Sequence, residues 1–321
     1  MVKTLGIIIL LALALIAPAF IYPVFLMKVL CFALFACAFN LLLGYVGLLS
    51  FGHAAFFGAA AYVSAHVVKV WAWPTELGIL AGTAAAAVLG LAFGILAIRR
   101  AGIYFAMITL ALAQMIYFFA LQAPFTGGED GIQGVPRRAI FGLLEIRNDL
   151  VFYYVVLAIF LAGFFLIYRA IHSPFGQVLK AIRENEPRAI SLGYDVDRYK
   201  LLAFVLSAAL AGLAGATKAI VFQLASLTDV IWQTSGEAVL MTLIGGVGTV
   251  LGPVVGAAIV VAMQNYLAQT GEWVLVIQGV IFVVVVLAFR RGIVGELAAL
   301  ARRWRPGAAA PEREVQFKPA E

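Results

Sequence analysis

The chain has 321 residues, 64% hydrophobic and 12% charged, with a net charge of +6 and a mean hydropathy of +1.05. A soluble domain of this length is about half apolar and a quarter charged, so a soluble fold is excluded. The Lys and Arg residues sit in loops and in the tail, where positive charge reports membrane topology rather than nucleic-acid binding.

Apolar runs of about 20 residues, enough to cross a ~30 Å hydrocarbon core, recur without the short alternation of an outer-membrane barrel. The expected fold class is an all-α polytopic membrane protein of about ten transmembrane helices. Residues 1–300 read as the transmembrane domain and 301–321 as a polar cytoplasmic tail. The start of the chain, with Lys3 and Ala17-Pro18-Ala19, resembles a cleavable signal peptide. Its apolar run is longer than a signal core, so residues 5–27 are read as the first span, bent at Pro18 and Pro23. The second, 29–43, contains Cys31 and Cys37, whose spacing suits neither a zinc site nor a shared helix face and marks them as small buried hydrophobes.

A glycine-broken stretch follows, Gly44, Gly47, Ser50, Phe51, Gly52 and His53, leading into a small-residue helix at 54–68. Spans are expected at 77–98, 103–121, 150–168 and 201–222. A brief apolar helix at 237–244 then breaks at Gly245, Gly246, Gly248, Gly252 and Pro253. The last two spans are 254–268 and 273–289, closed by Arg290-Arg291. With ten crossings, Lys3, Arg99-Arg100, the 169–200 loop and Arg290-Arg291 share one side, which places both termini in the cytoplasm. Trp71, Trp73, Trp232 and Trp273 then fall near the outer interface, where indole rings are favoured.

Ten crossings divide into two five-helix halves of opposite orientation, with the glycine breaks near corresponding third positions. Paired interrupted helices point to a translocation pathway built from inverted repeats; glycines that only let helices approach closely remain the other reading. His53 either lines a pore or is a neutral packing histidine. Lys218, near the end of its span, is expected to snorkel to the headgroups. Glu237 is expected to open its short helix and complement the dipole. No phosphate-binding loop, dinucleotide fingerprint or catalytic or metal-ligand constellation is visible, so the chain is not read as an enzyme. The 169–200 loop reads as an amphipathic helix over 176–186, with Phe175, Val178 and Ile182 on one side, then Pro187 and a short helix over 188–192 closed by Gly193. Such a loop either seats in a partner's groove or is a solvated connector.

Six stretches taken in order carry a resemblance. They are residues 40–58, 102–110, Thr126-Gly127-Gly128-Glu129-Asp130-Gly131-Ile132, 173–177, 184–193 leading into 200–215, and 245–253. On these the chain resembles the LivM-type branched-chain amino-acid permeases of ABC importers. The resemblance implies a bacterial inner-membrane subunit surrounded by lipid and paired with a homologous second permease. Two cytoplasmic ATPases, which hold the ATP and Mg that this chain does not bind, and a periplasmic binding protein complete such a system. Glu184, Asn185, Glu186, Arg188, Ala189 and Gly193 look like the family's ATPase-coupling loop, and the 126–131 loop would face the periplasm. An ion-gradient-driven secondary carrier is the alternative, and a non-transporting scaffold or receptor a third class. Relatives that carry urea, amides or aromatic acids leave the cargo open.

Overall fold

The computed structural model describes residues 14–139, 148–267, 273–288 and 292–296. The start of the first expected span, Arg290-Arg291 and the tail lie outside the described residues. Among those described, the chain is a stack of helices: α1 Pro23–Tyr45, α2 His53–Lys69, α3 Thr75–Ala97, α4 Ile103–Gln122, α5 Asp149–Ile171, α6 Pro174–Glu184, α7 Glu186–Ser191, α8 Val196–Phe222, α9 Trp232–Gly245, α10 Gly252–Leu267 and α11 Trp273–Ala288. Five of these, α1, α3, α4, α5 and α8, are long and apolar enough to cross a membrane, and α10 is a shorter apolar helix. This is an all-α polytopic membrane protein.

Several boundaries differ from the sequence reading; α8, for instance, begins at Val196 rather than 201. Pro23 does not bend a span; it opens α1, where its missing N–H has no intrahelical partner to lose. Lys28 consequently lies inside α1 rather than between two spans, and the helix runs 23 residues, about 35 Å at 1.5 Å per residue. The helix expected to begin at Glu237 begins at Trp232, so Glu237 sits in its second turn and does not cap the dipole.

Hydrophobicity alone does not decide which helix is central, since lipid is as apolar as a core. Burial does. In α1 and α8, 72% of the most apolar window is covered by other helices, against 33%, 28% and 39% in α3, α4 and α5. Cys31 and Cys37 are free thiols in the buried centre of α1. The peripheral helices turn Leu80, Val88, Met107, Met115 and Phe118 outward, as lipid-facing positions require.

The centre closes because α8 is lined with small residues. A Cβ added at Gly215 would collide with the backbone carbonyl of Phe57 in α2, and one added at Gly212 with Ala86 in α3. Van der Waals contact between closely approaching backbones is the main force holding helices together in lipid. At one end of the bundle a two-residue antiparallel pair joins Ile132–Gln133 to Leu224–Ala225, tying the α4–α5 connection to the chain that leaves α8.

The packing gives a direct expectation. Gly215→Leu must separate α8 from α2 and costs about 1–3 kcal/mol or more, read as a lowered melting temperature in detergent. Gly236→Ala, with nothing within 4 Å of the added carbon, leaves that temperature unchanged or higher.

Candidate functional site

The first glycine break begins where α1 runs out of intrahelical acceptors. The backbone N–H groups of Val46, Gly47 and Leu48 all turn back to the Leu42 carbonyl at 3.2, 3.0 and 3.3 Å. Gly47, at φ +83°, takes the left-handed conformation that reverses the chain. The opening donors of α2 are then met by side chains, two of them from other helices: Phe51 N–H donates to Thr109 Oγ1 of α4 at 3.2 Å, Gly52 N–H to the neighbouring Ser50 Oγ at 3.2 Å and Ala54 N–H to Ser235 Oγ of α9 at 2.8 Å.

The second break, between α9 and α10, is held by one residue of α1. Asn40 Nδ2 donates to the Thr249 carbonyl at 2.9 Å, and its Oδ1 accepts from Gly248 N–H at 2.9 Å. The two breaks therefore touch. A Cβ on Gly44 would lie 2.7 Å from the Gly248 nitrogen, so Gly44 admits no side chain, and Gly248 takes the left-handed conformation at φ +75°. Arg183 of α6 reaches the same place, its Nη1 donating to the Gly44 carbonyl. Gly44, Tyr45, Lys180, Arg183, Glu184 and Gly248 line an open cavity of about 420 Å³, with Lys180 Nζ 5.9 Å above the Tyr45 ring.

The predicted pathway residues thus fall into separate groups. Gly44, Gly47 and Gly248 share the cavity region with Arg183. Ser50, Phe51 and Gly52 lie against Thr109. Gly245 packs on Gly252 at the foot of Pro253, and Gly292 covers Gly246. His53 is fully buried and edge-on to Phe39, Phe56 and Phe204. Its Nε2 lies 2.8 Å from Ser207 Oγ, which donates to the Ala38 carbonyl at 2.5 Å; the serine proton being spent there, Nε2 is the donor to the serine. This bonding packs α2 against α1 and α8.

The polar hairpin between α5 and α8 folds as a unit. Ser173 caps α6 and Pro174 opens it. The helix ends at Asn185, whose Oδ1 accepts the Arg188 N–H at 3.0 Å, so the break precedes Pro187, which starts α7 instead of stopping α6. Gly193, at φ +86°, closes the turn. Val178, Ile182, Ala189 and Val196 form a small core of their own, and Lys200 Nζ pairs with Glu186 Oε1 at 2.6 Å. Of the predicted coupling residues, Ala189 is buried in that core; Glu184, Asn185 and Arg188 are exposed and Glu186 partly so. Ile190 and Leu192 are exposed beside them, at 58% and 68%.

At the opposite end of α4 the 126–131 loop is two tight turns. Thr126 Oγ1 donates to the carbonyls of Ala120 and Ala123 at 2.6 Å; Gly127, Gly128 and Gly131 take positive φ, and Glu129 and Asp130 are exposed. Lys218 does not snorkel. Its Nζ meets both oxygens of Asp229 at 2.7 Å, with side chains 10% and 7% exposed. Sequence reading passed over Asp229, although a lysine in an Ala/Gly-rich span demands a nearby acid. Asn40, Thr109, Arg183 and Ser235 were also missed as site residues; a polar side chain one turn before a glycine break is the signal that would have found Asn40. Among the described residues no group of three or more His, Cys, Asp or Glu is placed to hold a metal ion.

Residues 23–286 match the family described as branched-chain amino acid transport system, permease component. The chain is 28% identical over 305 residues to the high-affinity branched-chain amino acid transport system permease protein LivM of Escherichia coli K12, covering 87% of this chain and 67% of that one. The Salmonella typhimurium LivM is 27% identical over the same shares. The ribose import permease RbsC of Bacillus subtilis is 30% identical over 144 residues, 40% of this chain and 43% of that one. No solved structure matches.

Breaking the buried pair leaves a charge unanswered, so Asp229→Leu alone is expected to cost about 3–5 kcal/mol. The double variant Lys218→Met with Asp229→Leu recovers most of that loss. Thermal unfolding of the detergent-solubilised protein checks both.

Proposed function

Because the chain belongs to the family of branched-chain amino acid transport permeases, we propose that it is the membrane-spanning subunit of an ATP-driven importer of branched-chain amino acids. The transport subunit is not an enzyme; in this reading ATP and Mg sit on separate ATPase subunits. The observation that carries the proposal is the α6–α7 hairpin: a helical unit with its own small core, exposed apolar side chains at Ile190 and Leu192, and a direct bond to the first glycine break. A short helix with an exposed apolar edge suits the groove of a soluble partner.

In this reading the hairpin and both termini face the cytoplasm, and a homologous permease covers part of the outward apolar faces of the bundle. The two contacting glycine breaks lie beside the pathway, and a loaded binding protein docks near the 126–131 loop. ATP-driven closure of the ATPases pushes the hairpin, and the two permeases expose the pathway alternately to each side. Weak, mainly apolar lining lets cargo leave, with selectivity supplied by the binding protein.

Replacing residues 184–193 by a flexible linker is expected to leave the protein inserted in the membrane while abolishing co-purification of the ATPases. Normal co-purification would refute the docking role. Uptake that collapses with an uncoupler yet survives loss of the ATPases would favour a secondary carrier instead.

A further inference from the structure

Three contacts run in series from the hairpin into the bundle. Arg183 of α6 holds the Gly44 carbonyl at the end of α1. Gly44 and Asn40, four residues apart, lie on one face of that helix. Asn40 in turn grips Gly248 and Thr249. Arg183 is exposed, yet it runs along both breaks: its Cγ lies 3.2 Å from where a Cβ of Gly47 would stand, and its Nη1 3.3 Å from that of Gly248. The stem passes Gly47 and the guanidinium meets Gly248, both left-handed at φ +83° and +75°, so one side chain spans the two breaks.

We propose that Arg183 is the positioning residue that carries a displacement of α6 to both glycine breaks at once. Its guanidinium moves the Gly44 end of α1, and Asn40 drags residues 246–251 with it. The proposal rests on the importer reading above and names the element that regulates its pathway. A plain capping role, in which the cation only satisfies a terminal carbonyl and the helix dipole, would lower stability without separating ATP use from transport.

The test uses the assembled transporter, with its ATPases and binding protein, in proteoliposomes. In a Cys31→Ala/Cys37→Ala background, Tyr45→Cys beside the cavity is labelled by a water-soluble maleimide with and without trapped ATP. The parent is expected to show two different rates, and Arg183→Met, which retains a similar stem, a single rate. Leucine moved per ATP hydrolysed falls roughly tenfold in Arg183→Met, the scale set by one charge-assisted hydrogen bond, while hydrolysis continues and Arg183→Lys recovers most of the ratio. Asn40→Leu gives the same uncoupling, and the double variant is no worse than either single, because the contacts act in series. Nucleotide-dependent labelling that persists in Arg183→Met, or hydrolysis and uptake that fall in proportion, overturns the proposal. A parent chain that binds no ATPase overturns instead the importer reading.

Discussion

A helix that stops inside a bilayer must find hydrogen-bond partners within the protein, because lipid offers none and each orphan group costs several kcal/mol. That constraint organises this molecule. Both glycine breaks survive because particular side chains from other helices arrive at the right height: Thr109 and Ser235 at the start of α2, and Asn40 across the α9–α10 connection. Remove the packing that fixes those heights and the breaks have nothing to lean on. The Gly and Ala surface of α8, pressed against α1, α2 and α3, is therefore not only a core but the jig that sets the polar contacts.

The arrangement also explains why the hairpin has a small core apart from the main one. Its four buried residues and the Lys200–Glu186 bond make α6, α7 and the first turn of α8 a stiff piece. In the importer reading proposed above, such a piece passes on a push that a floppy loop would absorb. Arg183 then converts a surface element into one that touches the bundle interior.

Helix existence was legible from the sequence, since uninterrupted apolar runs have few alternatives. Boundaries were legible only where glycine or proline chemistry was unambiguous: α4 starts at Ile103 as expected, whereas Pro23 admitted two readings and the helix-opening one prevailed. The breaks themselves were visible as glycine clusters. Their mutual contact was not, because it depends on Asn40 meeting residues 208 and 209 positions away, and no local pattern encodes such a distance. The snorkelling expectation for Lys218 failed for a related reason. A lysine at a helix end is compatible with either headgroups or a partner, and only the fold of the following turn brings Asp229 back over it. The branched-chain permease family, by contrast, was carried by motifs in order along the chain and needed no three-dimensional information.

The pairing of Lys218 with Asp229, separated by 11 residues, bears on how the chain enters the membrane. Until Asp229 arrives, the Lys218 ammonium lacks the counter-ion that it has in the folded bundle. The carboxylate that neutralises it is synthesised only after the helix is complete and folds back from the turn at Leu227–Asp229. The ion pair that seals this end of α8 can therefore form only once that turn exists.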